Sequence, residues 1–197
     1  MPSAPNRHEQ RKAATRLKLL QAAREEIVEK GYDNVDILDI TERANVSKAT
    51  FYQHFPNKEE CARQLMLQGY EALVSEILTD ELDAPSRKEW VLRSYQKLFS
   101  WAEANRQFLQ IMLGGAASHQ LNIFGQHYMV SLVERLLVER GFDLPNSRYP
   151  APVMAQIISG LLIQMLRWWL EADTGYTAQD MAQLVDDVLT NGIGSFA

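Results

Sequence analysis

Residues 37–60 read ILDITERANVSKATFYQHFPNKEE. Asp36 precedes an apolar set (Ile37, Ile40, Ala44) spaced as one face of a short helix, and Asp39 falls at the third helical position, where a carboxylate complements the helix dipole. Asn45 tolerates a left-handed turn. Ser47 then caps a second helix holding Phe51, Tyr52 and Phe55, which Pro56 stops. Two short helices around a tight turn let the first brace the second, so that the second can enter a DNA major groove. Ile37, Ile40, Ala44 and Val46 are expected to pack on Phe51 and Phe55. That leaves Lys48, Ala49, Thr50, Tyr52, Gln53 and His54 facing outward. Lys and Gln can bond base edges, and Thr or Tyr hydroxyls can bond phosphate. By spacing alone, a helical hairpin with a polar outer face stands equally beside a DNA reader.

Helical periodicity continues in both directions and strand alternation is nearly absent. A first helix is predicted over about 15–30, with Leu19, Leu20, Ala23, Ile27 and Val28 on one face and Gly31 as its stop. After Asn57 a long helix is predicted over about 58–78. Ser86 and Glu89 form a capping box that opens the next helix. Asn105 is placed as the cap of a short helix, a long one is expected from about 118 to 140, and an apolar one from Val153. Thr177 and Asp180 resemble a second capping arrangement before a last helix with Met181, Leu184, Val185 and Val188 on one stripe. The fold class is therefore all-α, with about nine helices. They divide into a basic N-terminal arm (1–13), a three-helix helix-turn-helix domain (14–60) and a larger helical domain (61–197).

The net charge of −5 on 197 residues looks unfriendly to DNA, but it is unevenly distributed. Residues 1–24 carry six basic residues against one acidic, a net of +5; residues 25–60 carry four against nine, and residues 61–197 ten against fifteen. A basic end with an acidic remainder marks an interaction end, or else a solvated tail. Composition, at 46% hydrophobic and 23% charged, is that of a globular protein. The single cysteine, Cys61, excludes an internal disulfide framework and any multi-cysteine metal centre. No signal-peptide pattern is read at the start, and a cytoplasmic location is expected. The most apolar stretch, Val153–Leu170, carries Arg167 and two glutamines, so a buried interface helix is expected in place of a membrane span.

Thr15-Arg16, Ala22-Ala23, Gly31-Tyr32 and the run 37–60 resemble the DNA-binding domain of TetR-family transcriptional regulators. The likeness is dense over about 15–65; beyond it only the helical architecture is similar. The resemblance implies that Ser47 caps the recognition helix and that Lys48, Ala49 and Gln53 face bases. It places Thr50, Tyr52, His54 and Lys58 at phosphate-contacting positions, with Thr15 a further phosphate contact. Asn45 stands where the family often has Gly, and Leu38 where a polar residue is usual. The resemblance also implies a homodimer on a palindromic operator and an effector cavity in the larger domain. Arg7, Arg11, Lys12 and Arg16 are then expected to follow phosphates or enter a minor groove.

For the dimer, the last two helices are the expected interface, through Ile157, Gly160, Leu161, Met181, Leu184, Val185 and Val188. For the effector pocket, the large aromatic and methionine side chains of the middle helices are the candidates: Tyr95, Trp101, Phe108, Met112, Phe124, His127, Tyr128, Met165 and Trp168. The same residues at helical spacing also describe an ordinary core. No Gly-rich phosphate loop, G-x-S-x-G or H-E-x-x-H is present, so neither an enzyme nor a cofactor or metal is expected. The expected function is a dimeric repressor released from its operator by a small apolar or aromatic ligand. A regulator whose larger domain docks a protein partner is the alternative, and a helical enzyme a weaker third.

Overall fold

A computed structural model describes residues 6–79, 86–114, 119–139, 149–172 and 174–192. These residues form nine α-helices and one short 3-10 turn: α1 (Arg7–Lys30), the turn Tyr32–Asn34, α2 (Ile37–Ala44), α3 (Lys48–His54), α4 (Lys58–Thr79), α5 (Arg87–Ala104), α6 (Arg106–Leu113), α7 (His119–Glu139), α8 (Ala151–Glu171) and α9 (Ala178–Asn191). No strand occurs among the described residues.

The largest departure from expectation is at the start. Residues 7–13 are not a separate arm but the first two turns of α1; residues 1–5 of the proposed arm lie outside the described residues. The cause is a capping box. Asn6 Oδ1 accepts the His8 N–H at 3.0 Å, and the Glu9 carboxylate accepts the Asn6 N–H at 2.9 Å. Thr15 therefore sits in mid-helix, its hydroxyl donating to the Arg11 carbonyl at 3.0 Å. Arg11 and Lys12 lie exposed on a rigid rod.

The head is built as its sequence directs. Asp36 and Asp39 cap α2 reciprocally, Asn45 turns the chain at φ 53° and ψ 52°, and Ser47 Oγ accepts the Thr50 N–H at 3.1 Å to start α3. Leu19, Ile27, Ile40, Phe51 and Phe55 are fully enclosed between α1, α2 and α3. Beside them Arg43 gathers Glu25, Glu26 and Glu29 of α1, its Nε donating to Glu26 at 2.6 Å, while Lys30 reaches Glu26 at 2.8 Å and Asp39 at 2.6 Å. The hydrogen bond from Lys30, aided by Arg43, holds the buried Glu26 carboxyl below its usual range against the opposing effect of burial. The cluster fastens α2 to α1 and fixes the angle at which α3 is presented.

In the larger domain α5 packs along α9 and α7 along α8. Trp169 is the largest enclosed side chain; it meets Phe99 edge-on at 5.6 Å and donates from Nε1 to the Tyr176 carbonyl at 2.9 Å. Arg106 of α6 stacks on the Trp169 ring at 5.0 Å and donates to the Leu170 carbonyl at 2.7 Å, closing the C-terminal end of α8. α8 is long and apolar enough, by length and composition, to cross a membrane. In this fold Ala155, Ser159, Leu162, Leu166, Trp169 and Leu170 bury one of its faces. Asn105 does not cap α6 with its side chain, as its position suggested. Its amide donates to the Trp101 carbonyl and its Oδ1 accepts from Arg24 of α1, both at 2.7 Å. α1 thus belongs to the head yet touches α4 and α6 of the body.

Candidate nucleic-acid interface and effector cavity

On α3, Lys48, Ala49, Tyr52 and Gln53 are exposed, and Thr50 and His54 are half-buried. Phe51 and Phe55 point inward, with their ring centroids 5.6 Å apart. Ala49 and Gln53, four residues apart, share one face of α3, and Lys48 stands at its first position. The Thr50 hydroxyl pairs with Ser47 Oγ at 2.9 Å, so both hydroxyls are already oriented by the cap. Burial lowers the pKa of His54, and the charges of Lys12 and Arg16 lower it further. The Lys12 and Arg16 charges of α1 thus lie close to the end of α3, where they favour the neutral imidazole of His54.

Lys58 has a different place from the expected phosphate contact. Its ammonium donates to the Tyr32 carbonyl at 2.8 Å and the Val35 carbonyl at 2.7 Å, and lies 4.4 Å from the Tyr32 ring centroid. Two of its three donors thus tie α4 to the loop before α2. Arg16 is similarly engaged, donating to Gln64 at 2.8 Å and covering the Phe55 ring at 4.6 Å. Leu38, at the second position of α2, is 42% exposed. Lys12, expected to follow phosphates from a separate basic arm, stands on this surface as part of α1; the Asn6–Glu9 pair was the signal for that helix.

The larger domain holds a cavity of about 650 Å³ between α4, α5, α7, α8 and α9. Its walls are aliphatic and aromatic: Leu73 and Ile77 from α4, Trp90, Val91 and Leu98 from α5, Met129, Leu132 and Leu136 from α7, Met154, Ile158 and Leu162 from α8. Polar groups are few. Arg87 and Lys88, both exposed, border it at the start of α5. Tyr95 and the buried Asp186 of α9 also line it, with the Lys88 charge near enough to act on Asp186. Burial raises the Asp186 pKa and pushes that of Tyr95 up to about 12, so the Tyr95 hydroxyl keeps its proton and the Asp186 charge is disfavoured.

Of the nine pocket residues proposed from sequence, only Tyr95 lines this cavity. Trp101, Phe108 and Met112 line a smaller one of about 260 Å³ beside α1. Tyr128 stacks on Tyr70 at 5.0 Å, and Phe124 lies under Arg63 at 5.2 Å. Met165 packs half-buried on the core, while His127 and Trp168 are exposed. The interface set divides as well. Met181 and Val185 are completely buried within the chain, on the face of α9 that packs along α5, which removes them from any partner-facing surface. Leu161, Leu184 and Val188 are half-buried. Ile157 and Gly160 are exposed and share a stripe of α8 with exposed Val153 and Trp168.

Known proteins match in both parts of the chain. Residues 19–65 match the family described as bacterial regulatory proteins, tetR family, and residues 91–191 match a transcriptional regulator C-terminal region. The HTH-type transcriptional activator FasR of Mycolicibacterium smegmatis is 24% identical over 160 residues, covering 79% of this chain and 72% of the relative. A TetR-family regulator from Syntrophomonas wolfei has a TM-score of 0.75 at 21% identity, over 92% of this chain and 97% of the other. The transcriptional regulator FadR from Bacillus subtilis, solved in complex with stearoyl-CoA, has a TM-score of 0.72 at 21% identity, over 90% and 98% of the two chains. With its helix-turn-helix head and its C-terminal region both matched, the chain belongs to the TetR family of bacterial transcriptional regulators.

Proposed function

We propose that this protein is a cytoplasmic homodimer that leaves its operator when a long acyl chain, carried as its coenzyme A thioester, fills the larger domain. The observation that carries the reading is the cavity. About 650 Å³ with almost wholly apolar walls suits a flexible hydrocarbon chain, and Arg87 and Lys88 at its edge suit the phosphates of a thioester carrier. The FadR relative solved in complex with stearoyl-CoA supports the same ligand class. A protein partner at this domain is the lesser reading, because the cavity lies between five helices and its walls are almost wholly apolar. An operator overlapping a promoter makes release a derepression.

Lys48 and Gln53 read base edges, with Ala49 giving methyl contact; Tyr52 and Thr50 bond phosphates, Thr15 reaches one only by giving up its bond to the Arg11 carbonyl, and Arg11 and Lys12 add charge from α1. Two heads read two half-sites of a palindrome, with the dimer formed through the exposed stripe of α8 around Ile157 and Gly160. Footprinting on DNA flanking the gene tests the whole reading: two-fold symmetric protection in low salt is expected, and unsymmetric or absent protection contradicts it. Ile157→Glu is expected to convert the dimer to a monomer in sedimentation and to weaken operator binding. A dimer unchanged by it places the interface elsewhere.

His54 gives the interaction a pH dependence. In the free protein its pKa lies below 6.5 through burial, Lys12 and Arg16. Phosphates beside these groups favour the charged imidazolium, so complex formation takes up protons and strengthens as pH falls from the pKa in the complex to the lower free-state pKa. The slope approaches about one decade per pH unit for each His54. His54→Gln is expected to flatten that dependence in an anisotropy titration.

A further inference from the structure

We infer a second small-molecule site, for an aromatic carboxylate, in the cavity of about 260 Å³ where α1 of the head meets α4, α5 and α6 of the body. It is separate from the acyl cavity and does not depend on that reading. Trp101, Phe108 and Met112 supply apolar walls, and Arg24 supplies a half-buried cation. The Arg24 guanidinium donates from Nη2 to the neutral Asn105 Oδ1 at 2.7 Å and lies 5.6 Å from the Phe108 ring centroid. Among the described residues no carboxylate pairs with it. A guanidinium has five donors in a planar fork that matches a carboxylate, and a charge-assisted pair is about twice as strong as a neutral one. A carboxylate entering here therefore displaces or joins the Asn105 amide, while a flat ring fills the space against Trp101 and the Met112 thioether.

The position gives such a ligand a regulatory reach. It would touch the head and the body at once, so any movement of one against the other changes its contacts, and its binding shifts that equilibrium by its differential affinity. Tyr70 borders both this cavity and the acyl cavity and separates the two.

The test uses the full chain, with 1-naphthoate and the neutral 1-naphthamide as probes, read by calorimetry and by tryptophan fluorescence. Naphthoate is expected to bind at least about tenfold more tightly than the amide. Arg24→Gln is expected to abolish that preference, and Leu132→Trp, which fills the acyl cavity, to leave it intact. Three outcomes overturn the inference: no binding at millimolar naphthoate, equal affinity for acid and amide in the unaltered protein, or loss of binding in the Leu132→Trp variant. The acid–amide comparison needs no variant, so a fold defect in Arg24→Gln does not blunt it.

Discussion

Phe51→Ala is expected to destabilise the DNA-reading head by about 3–5 kcal/mol, the range for removing a fully buried phenylalanine. Phe51 has no exposed surface, sits on the inner face of α3, and meets both the Phe55 ring and the edge of Tyr52, at 5.6 and 5.7 Å. Its loss leaves a cavity under the recognition helix that the short α2 and α3 cannot close without shifting. α3 has only seven residues, too few to persist without its packing. In urea unfolding followed by circular dichroism, the head should melt early or the single transition should move to much lower denaturant. Operator binding should vanish while the body keeps its helical signal. A variant with unchanged unfolding would mean that α3 is not held by its inner face.

Leu132→Trp is expected to remove the response to ligand while leaving DNA binding intact. Leu132 is 8% exposed, projects from α7 into the acyl cavity, and packs with Val74 and Met129. The added indole occupies volume that the acyl chain would need, and the existing void accommodates it at less cost than the about 1–3 kcal/mol of ordinary overpacking. Operator affinity without ligand should match that of the unaltered protein. The concentration of palmitoyl-CoA needed to release DNA should rise by about 100-fold or more, since the chain loses most of its buried surface. A normal response in this variant would put the ligand somewhere other than this cavity.

The head was legible in the sequence because short-range chemistry builds it. Asp36, Asn45, Ser47 and Pro56 each act on their own backbone or that of near neighbours, and Phe51 and Phe55 repeat at the spacing of one helix face. The start of α1 is equally local, written in the Asn6–Glu9 capping box, although the dense positive charge of residues 7–16 is just as compatible with a solvated arm. The cavity was a different problem. Leu132, Met154 and Ile158 carry the same apolar signal as Leu19 or Leu170, and whether such a side chain meets a neighbour or a void depends on how α4, α5, α7, α8 and α9 lean on one another. Aromatics were therefore a poor guide: Trp169 fills the core, Trp168 one residue later is exposed, and Tyr128 leans on Tyr70. Met181 and Val185 show the same limit, because a single apolar stripe on α9 fits α5 of its own chain as well as a partner. The engagement of Lys58 within the chain was hidden for a related reason: only the fold brings the Tyr32 and Val35 carbonyls to its ammonium.

The most direct test of the account is an anisotropy titration of the labelled operator with the full-length protein, alone and with saturating palmitoyl-CoA, using free coenzyme A as control. The acyl thioester is expected to weaken operator affinity, by a factor set by its preference for the DNA-free state, while free coenzyme A leaves it unchanged. Superimposable isotherms with and without the acyl thioester would contradict it.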